Sequence, residues 1–274
     1  MKTNKTFLRF IILFVITLLF SNNLLSQFVT YGSKKFKPAR VTIEHLLVYE
    51  QPIPNLFSNI SDYFSFKGYG VKYGFGTQVN IKLATDKKGK IRPYLSLAYS
   101  LFLGNDNSRG YIDSNVINYG FPLNKTYSGV PGTSKLYLHF ITAGIGIEYA
   151  FLNKTRWIPY LGLEMDFNVL MGTYRQTLSG LAQTSFTIKP AVRFGAALGG
   201  GVQVRLSKAI GLVFSSKFKY ANLIGKSSEF VQEQNKMKLL DKSAANLNST
   251  LSKDRHIMYI DLMLGVAYYI GRAK

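Results

Sequence analysis

Cysteine is absent from the 274 residues, which excludes disulfides, thiolate-ligated zinc and a lipid-anchored cysteine. Histidine is scarce (His45, His139 and His256), and Trp157 is the single tryptophan. Acids are few: 14 Asp and Glu stand against 34 Lys and Arg, a formal charge of +20. That excess draws the chain toward anionic partners, whether nucleic acid or membrane surfaces, and leaves the fold open. Beyond Phe20 no apolar run approaches the ~20 residues that a membrane helix requires.

The one long apolar run sits at the start. Lys2, Lys5 and Arg9 precede 11 residues from Phe10 to Phe20, and a polar stretch follows. Basic start, short apolar core and polar end form a secretory leader, expected to be cut after Ser26. Leu24 departs from the small-residue rule for such sites. Removing Met1–Ser26 leaves +17 on residues 27–274, the expected barrel domain.

What the chain does have is alternation. "YGVKYGFGTQVNIKL" (Tyr69–Leu83) keeps a period of two for fifteen residues, where a soluble strand usually needs five or six. Eight such segments are expected: Arg40–Glu50, Phe66–Ala84, Ile91–Leu103, Leu136–Phe151, Trp157–Gly172, Ile188–Leu206, Ile210–Ile224 and Arg255–Ile270. "PYLSL" at Pro93–Leu97 recurs as "PYLGL" at Pro159–Leu163, each just after a tight turn. Short connections ("TDKKGK", "LNKTR", "SKA") alternate with polar ones of about 15 to 32 residues. Tight turns on one side and long loops on the other are the pattern of a transmembrane barrel. The expected fold is all-β: an eight-stranded antiparallel up-and-down barrel with aromatic and aliphatic residues toward lipid.

Parity then fills the interior. Lys72, Lys82, Arg193, Arg205, Lys217 and Lys219 fall inside, against Glu44, Glu148, Glu164, Asp166 and Asp261. These charges are an ion path or a network of pairs filling the lumen. Eight strands leave room for side chains and not for an aqueous channel, and Leu138 and Phe140 also fall inside, so the filled lumen is favoured. On the lipid face, Tyr69, Tyr99, Tyr137 and Tyr220 are expected at the outer interface. Tyr149, Phe151, Trp157 and Tyr268 are expected at the inner one. Core aromatics of a soluble sandwich are the competing reading. Excess lysine and arginine cluster at the short turns (Lys87, Lys88, Lys90, Lys154, Arg156, Lys208), suited to anionic headgroups of outer-membrane lipids. Scattered over turn tips without a binding motif, they do not point to nucleic acid.

Chemistry-bearing clusters are thin. His45 and His139 take the lipid-facing parity, while Ser252, Asp254 and His256 in one polar loop are the nearest approach to a hydrolytic set. No spacing suggests a metal site, no cofactor is expected, and the glycines of "GYGVKYGFG" and "LGGGVQV" lie in strands and not before a helix.

With hairpins such as "IGIEYAFLNKTRWIPYLGLEMDF" and the closing "YIDLMLGVAYYIG", the chain resembles the small outer-membrane β-barrels of Gram-negative bacteria, the OmpA/OmpX-like superfamily. It departs from them in the "GRAK" that follows Ile270, where the family usually stops on an aromatic. Its leader and turns are similar to Bacteroidetes barrels, including PorT-type barrels linked to secretion. The resemblance implies an integral outer-membrane protein with a structural or surface-interaction role. A surface or secretion-complex protein would be its partner. An outer-membrane lipid-modifying enzyme and a narrow channel are the alternatives.

Overall fold

The computed structural model describes residues 37–58, 68–104, 107–112, 127–151, 156–178, 183–229, 236–239, 241–242 and 254–272. The expected leader lies outside them. Ten strands form one sheet: β1 (Val41–Pro52), β2 (Val71–Leu83), β3 (Ile91–Gly104), β4 (Asn107–Ile112), β5 (Tyr127–Ala150), β6 (Trp157–Leu178), β7 (Thr184–Arg205), β8 (Ile210–Ile224), β9 (Lys236–Met237) and β10 (Met258–Ile270). Eight of them close a ring. β1 pairs with β2, β2 with β3, β3 with β5, and the series runs through β6, β7, β8 and β10 back to β1, every pairing antiparallel. The remaining two are appendages: β4 extends the β5 hairpin, and β9 lies parallel to β7 at Thr187 and Ile188.

Side chains alternate as the period requires, but the ring is inverted relative to a water-soluble protein. Leu47 (66% exposed), Leu97 (61%), Ile145 (62%) and Met165 (72%) point out, while Glu44 and Lys82 point in at 0% and 2%. Among the described residues, thirty-four large apolar side chains are exposed, spread over every strand of the ring. At about 1 kcal/mol for each half-exposed side chain, leaving them in water costs some tens of kcal/mol, far above the ~5–15 kcal/mol net stability of a domain. Water is not the solvent of this face.

The strands differ in height. β1, β2, β3, β8 and β10 have 12 to 15 residues, enough for the 9–11 that cross the hydrocarbon and a little more. β5, β6 and β7 have 24, 22 and 22, roughly 70–80 Å of strand. They rise on one side of the long-loop end.

Several boundaries move accordingly. β5 begins at Tyr127 and not at Leu136, β6 runs past Gly172 to Leu178, and β7 begins at Thr184 and not at Ile188. Part of the expected loop Gly104–Lys135 is strand, with Asn107 facing Ser134 and Arg109 facing Pro131. Above the bilayer a hairpin needs backbone pairing without apolar alternation, so composition conceals it. β10 starts at Met258 and not at Arg255, and β1 extends to Pro52. In β7 an extra residue falls between the Leu170–Ala191 and Gly172–Ile188 pairs. Pro190, which has no N–H to offer the ladder, occupies that bulge.

A closed ring resists dodecyl sulfate until heated, because no edge offers the detergent a start. The folded protein should migrate faster unboiled than boiled on SDS gels; identical mobility would contradict closure.

Candidate functional site

The lumen is where the sequence concentrates its buried polar groups. Its ionic part begins near the short turns. Lys82 reaches Glu44 at 2.7 Å and Glu148 at 2.6 Å from the centre of a triad, with its ammonium 4.3 Å from the Tyr160 ring centroid. Arg92, directly across the ladder from Glu148, pairs with it and donates to Gln203 at 2.9 Å. Gln203 donates to Glu44 at 2.5 Å and Asn80 to the other Glu44 oxygen at 2.8 Å. Further along, Lys217 pairs with Glu164, which also accepts from Ser96 at 3.0 Å. Lys219 lies 3.5 Å from Asp261, and Ser100 donates to Glu50, the cross-strand neighbour of Asp261. Gly199 faces Lys217 across the ladder, and a Cβ there would sit 2.7 Å from the Ser216 carbonyl and against the lysine chain. The cavity beside Lys82, Tyr94 and Lys217 is about 10 Å³, room for one water.

Toward the long loops the lumen turns apolar. Phe102, Phe140 and Tyr259 stack with centroids 4.6 and 5.1 Å apart, beneath Tyr174, Phe186 and Ile188. Two long connections fold into this mouth. Leu56 enters from the β1–β2 connection, while Met237, Leu239 and Ile257 enter from the β8–β10 connection. The second is fixed by one acid. Asp241 takes both forks of Arg193 at 2.8 Å, accepts from Asn222 at 2.9 Å and from the Ser227 amide at 2.8 Å.

Among the described residues, seven cations are sealed in the lumen (Lys82, Arg92, Arg193, Arg205, Lys217, Lys219, Arg255) with seven acids (Glu44, Glu50, Glu148, Glu164, Asp166, Asp241, Asp261). Arg205 stacks on Tyr269 at 4.3 Å and donates to the Lys37 carbonyl at 2.8 Å. Arg255 stacks on Tyr69 at 4.5 Å and donates to the Gly68 carbonyl at 2.7 Å. Parity also places Arg92 and Glu50 inside, and both are buried there. Arg255 shares the inward parity of Asp261 in the expected Arg255–Ile270 segment, whereas nothing in the sequence singles out Asp241, which belongs to a connection and not to a ring strand.

Two expected positions are corrected. Lys72 is exposed and Tyr69 is fully buried. A bulge between Val71 and Tyr73, with Gly70 at φ 68° before it, reverses the parity of this strand end. Tyr69 and Val71 therefore turn inward and Lys72 outward. Tyr99, Tyr149, Phe151, Trp157 and Tyr268 are exposed near strand ends, and Tyr137 and Tyr220 are half-buried on the outer face.

The histidines are engaged locally. His139 Nδ1 lies 2.8 Å from the Tyr99 hydroxyl, and His45 Nε2 lies 3.0 Å from Thr77 Oγ1. His256 Nδ1 is contacted by the Tyr220 hydroxyl and, at 3.1 Å, by Lys226 Nζ. An ammonium only donates, so Nδ1 is an acceptor and the proton sits on Nε2. A hydrolytic triad needs the reverse, an Nδ1–H held by a carboxylate. Ser252 lies outside the described residues. No group of three or more metal-ligand side chains occurs among the described residues.

No family model and no curated protein matches the chain. Among solved structures it is similar to Neisserial surface protein A, at 12% identity over 87% of this chain and 99% of that one, TM-score 0.42. It is also similar to OprG of Pseudomonas aeruginosa, at 11% identity over 88% and 100%, TM-score 0.38. The N-terminal β-barrel domain of P. aeruginosa OprF follows at 10% identity over 85% and 98%, TM-score 0.35. These likenesses are remote, and the assignment rests on the closed ring and its apolar belt. The chain is a closed transmembrane β-barrel of eight strands.

Removing one partner of a buried ion pair strands the other, at a cost of about 3–5 kcal/mol. Asp241→Ala should lower the unfolding free energy measured in urea by that order and speed proteolysis between residues 226 and 257; unchanged cleavage would contradict the pinning role. Burial first, and Lys226 second, lower the pKa of His256 below 6.5. The folded loop therefore binds a proton less well than the unfolded one, so its stability is present above about pH 6.5 and is lost as pH falls. Protection factors of the amides in residues 254–257, each rate taken relative to the unstructured chain at the same pH, should fall from pH 7.5 to 5.5, and His256→Gln should flatten that profile.

Proposed function

We propose that the protein is a non-conducting outer-membrane barrel with a structural and surface-interaction role. In this reading the leader Met1–Ser26 is removed on export and the short turns face the periplasm. The observation that carries the reading is the double filling of the lumen: paired ions along one part and the Phe102–Phe140–Tyr259 stack with the inserted loops along the other. A hydrated ion would have to displace both. Partner recognition belongs to the long-loop side, where β4 and the upper parts of β5, β6 and β7 present a sheet beyond the bilayer. A surface or secretion-complex protein is the partner class proposed for it. At the opposite rim Lys87, Lys88, Arg156 and Lys208 are exposed and suit anionic phospholipid headgroups. The arrangement at His256 supports a non-enzymatic role, since its Nδ1 has the wrong sense for a base held by an acid.

Single-channel recording in a planar bilayer tests the reading. The wild-type barrel should give flat traces, and Asp241→Ala should stay flat as well, because the ion pairs and the Phe102–Phe140–Tyr259 stack still fill the lumen when its loop leaves the mouth. Steady unitary conductance of the unmodified barrel would overturn the proposal in favour of a channel. Altered lipid A mass spectra in cells lacking the protein would overturn it in favour of an enzyme.

A further inference from the structure

On the outer face, just beyond the apolar belt, the register sets two cations against each other. Lys135 of β5 lies directly across the ladder from Arg175 of β6, and both are exposed. Like charges in directly opposed positions destabilise a sheet unless something anionic lies between them. Neither side chain has an ion-pair or hydrogen-bond partner among the described residues. The outer ends of β2, β3, β5, β6 and β7 (residues 68–73, 99–104, 127–139, 170–178 and 183–192) carry no Asp or Glu that would compensate.

Their height on the barrel is fixed by their own strands. On β5 the lipid-facing series Tyr149, Ile147, Ile145 and Ile141 ends in His139 and Tyr137, and Lys135 is the next outward residue. Along β6 the series Leu161, Leu163, Met165 and Phe167 ends in Val169 and Met171, with Thr173 and then Arg175 beyond. Lys72 of β2, turned outward by its bulge, follows the last strongly exposed ring of that strand, Phe75. From Tyr149 to Tyr137 is roughly 40 Å of strand, or about 28 Å along the membrane normal at 45° tilt, which matches the hydrocarbon thickness. All three cations therefore sit at headgroup level on the long-loop side. Lys135 is two strand spacings from Lys72, roughly 10 Å, and Arg175 is three, roughly 15 Å, so the site has two centres of positive charge.

We propose that this arc binds a glycolipid of the outer leaflet through two phosphate groups, one accepted by the Lys135–Arg175 pair and one by Lys72. The guanidinium of Arg175 offers a planar fork to phosphate oxygens, and both lysines offer compact charges. Tyr137 and Tyr99 lie beneath, at the level of the sugar and upper acyl chains. The inference rests on the outer-membrane reading above.

Native mass spectrometry of the barrel released from detergent micelles tests it. The probe is bisphosphorylated lipid A, with the same lipid stripped of both phosphates and phosphatidylglycerol as comparisons. The wild-type barrel should retain the bisphosphorylated form at least tenfold over either comparison. Lys135→Gln combined with Arg175→Gln should reduce it to their level, while Lys87→Gln with Lys88→Gln at the opposite rim should change nothing. Equal retention of all three lipids by the wild type, or full retention by the Lys135/Arg175 variant, would overturn the site. The gel shift on heating, read on the same samples, separates this failure from failure of the barrel reading: a barrel that shifts but does not discriminate refutes the site alone.

Discussion

A backbone amide in hydrocarbon has no water to bond, and that constraint governs the rest of the structure. The β3–β5 and β1–β10 pairings complete a ring in which every membrane-crossing strand has two neighbours. Once the ring closes, alternation sorts the side chains without further instruction. Met165 and Leu97 face acyl tails, and their neighbours Glu164 and Ser96 face a lumen too narrow for bulk water.

That narrowness explains why the lumen is ionic and yet balanced. Acids held there demand cations within reach, and the register supplies one directly where Arg92 faces Glu148, while Lys217 reaches Glu164 and Lys219 reaches Asp261 from other strands. The pairs are weak evidence for net stability, since desolvation offsets most of the attraction between partners. Their effect is on specificity, because a one-residue slip of any strand would turn its charges into lipid and its leucines into the lumen. The mouth follows another logic. There the connections themselves enter, and Arg193 with Asp241 holds a loop over rings that would otherwise meet water.

The period-two signal made the ring legible in the sequence, because lipid outside and ions inside enforce alternation more strictly than a one-sided core does. Lys82, Glu148, Glu164, Asp166, Arg205, Lys217, Lys219 and Asp261 could be placed by counting from their own strand, because pairing there is regular. Counting failed at Lys72 and Tyr69, where a bulge adds a residue and nothing in "GYGVKYG" announces it. It also failed above the bilayer. Tyr127–Lys135 pairs as strand with a composition suited to a loop, since water on both faces removes the demand for alternation. Asp241 was invisible for a third reason: its partner Arg193 is 48 residues away, and only the folded mouth brings them together.

The single tryptophan permits the most direct test of the lipid-facing belt. Trp157 begins β6 at the short-turn end, 36% exposed on the outer face. In vesicles, its fluorescence should be quenched strongly by lipids brominated near the headgroup end of the acyl chain, less by lipids brominated near the terminal methyl, and little by dissolved iodide. Strong iodide quenching with no response to either brominated lipid would place that face in water and contradict the account.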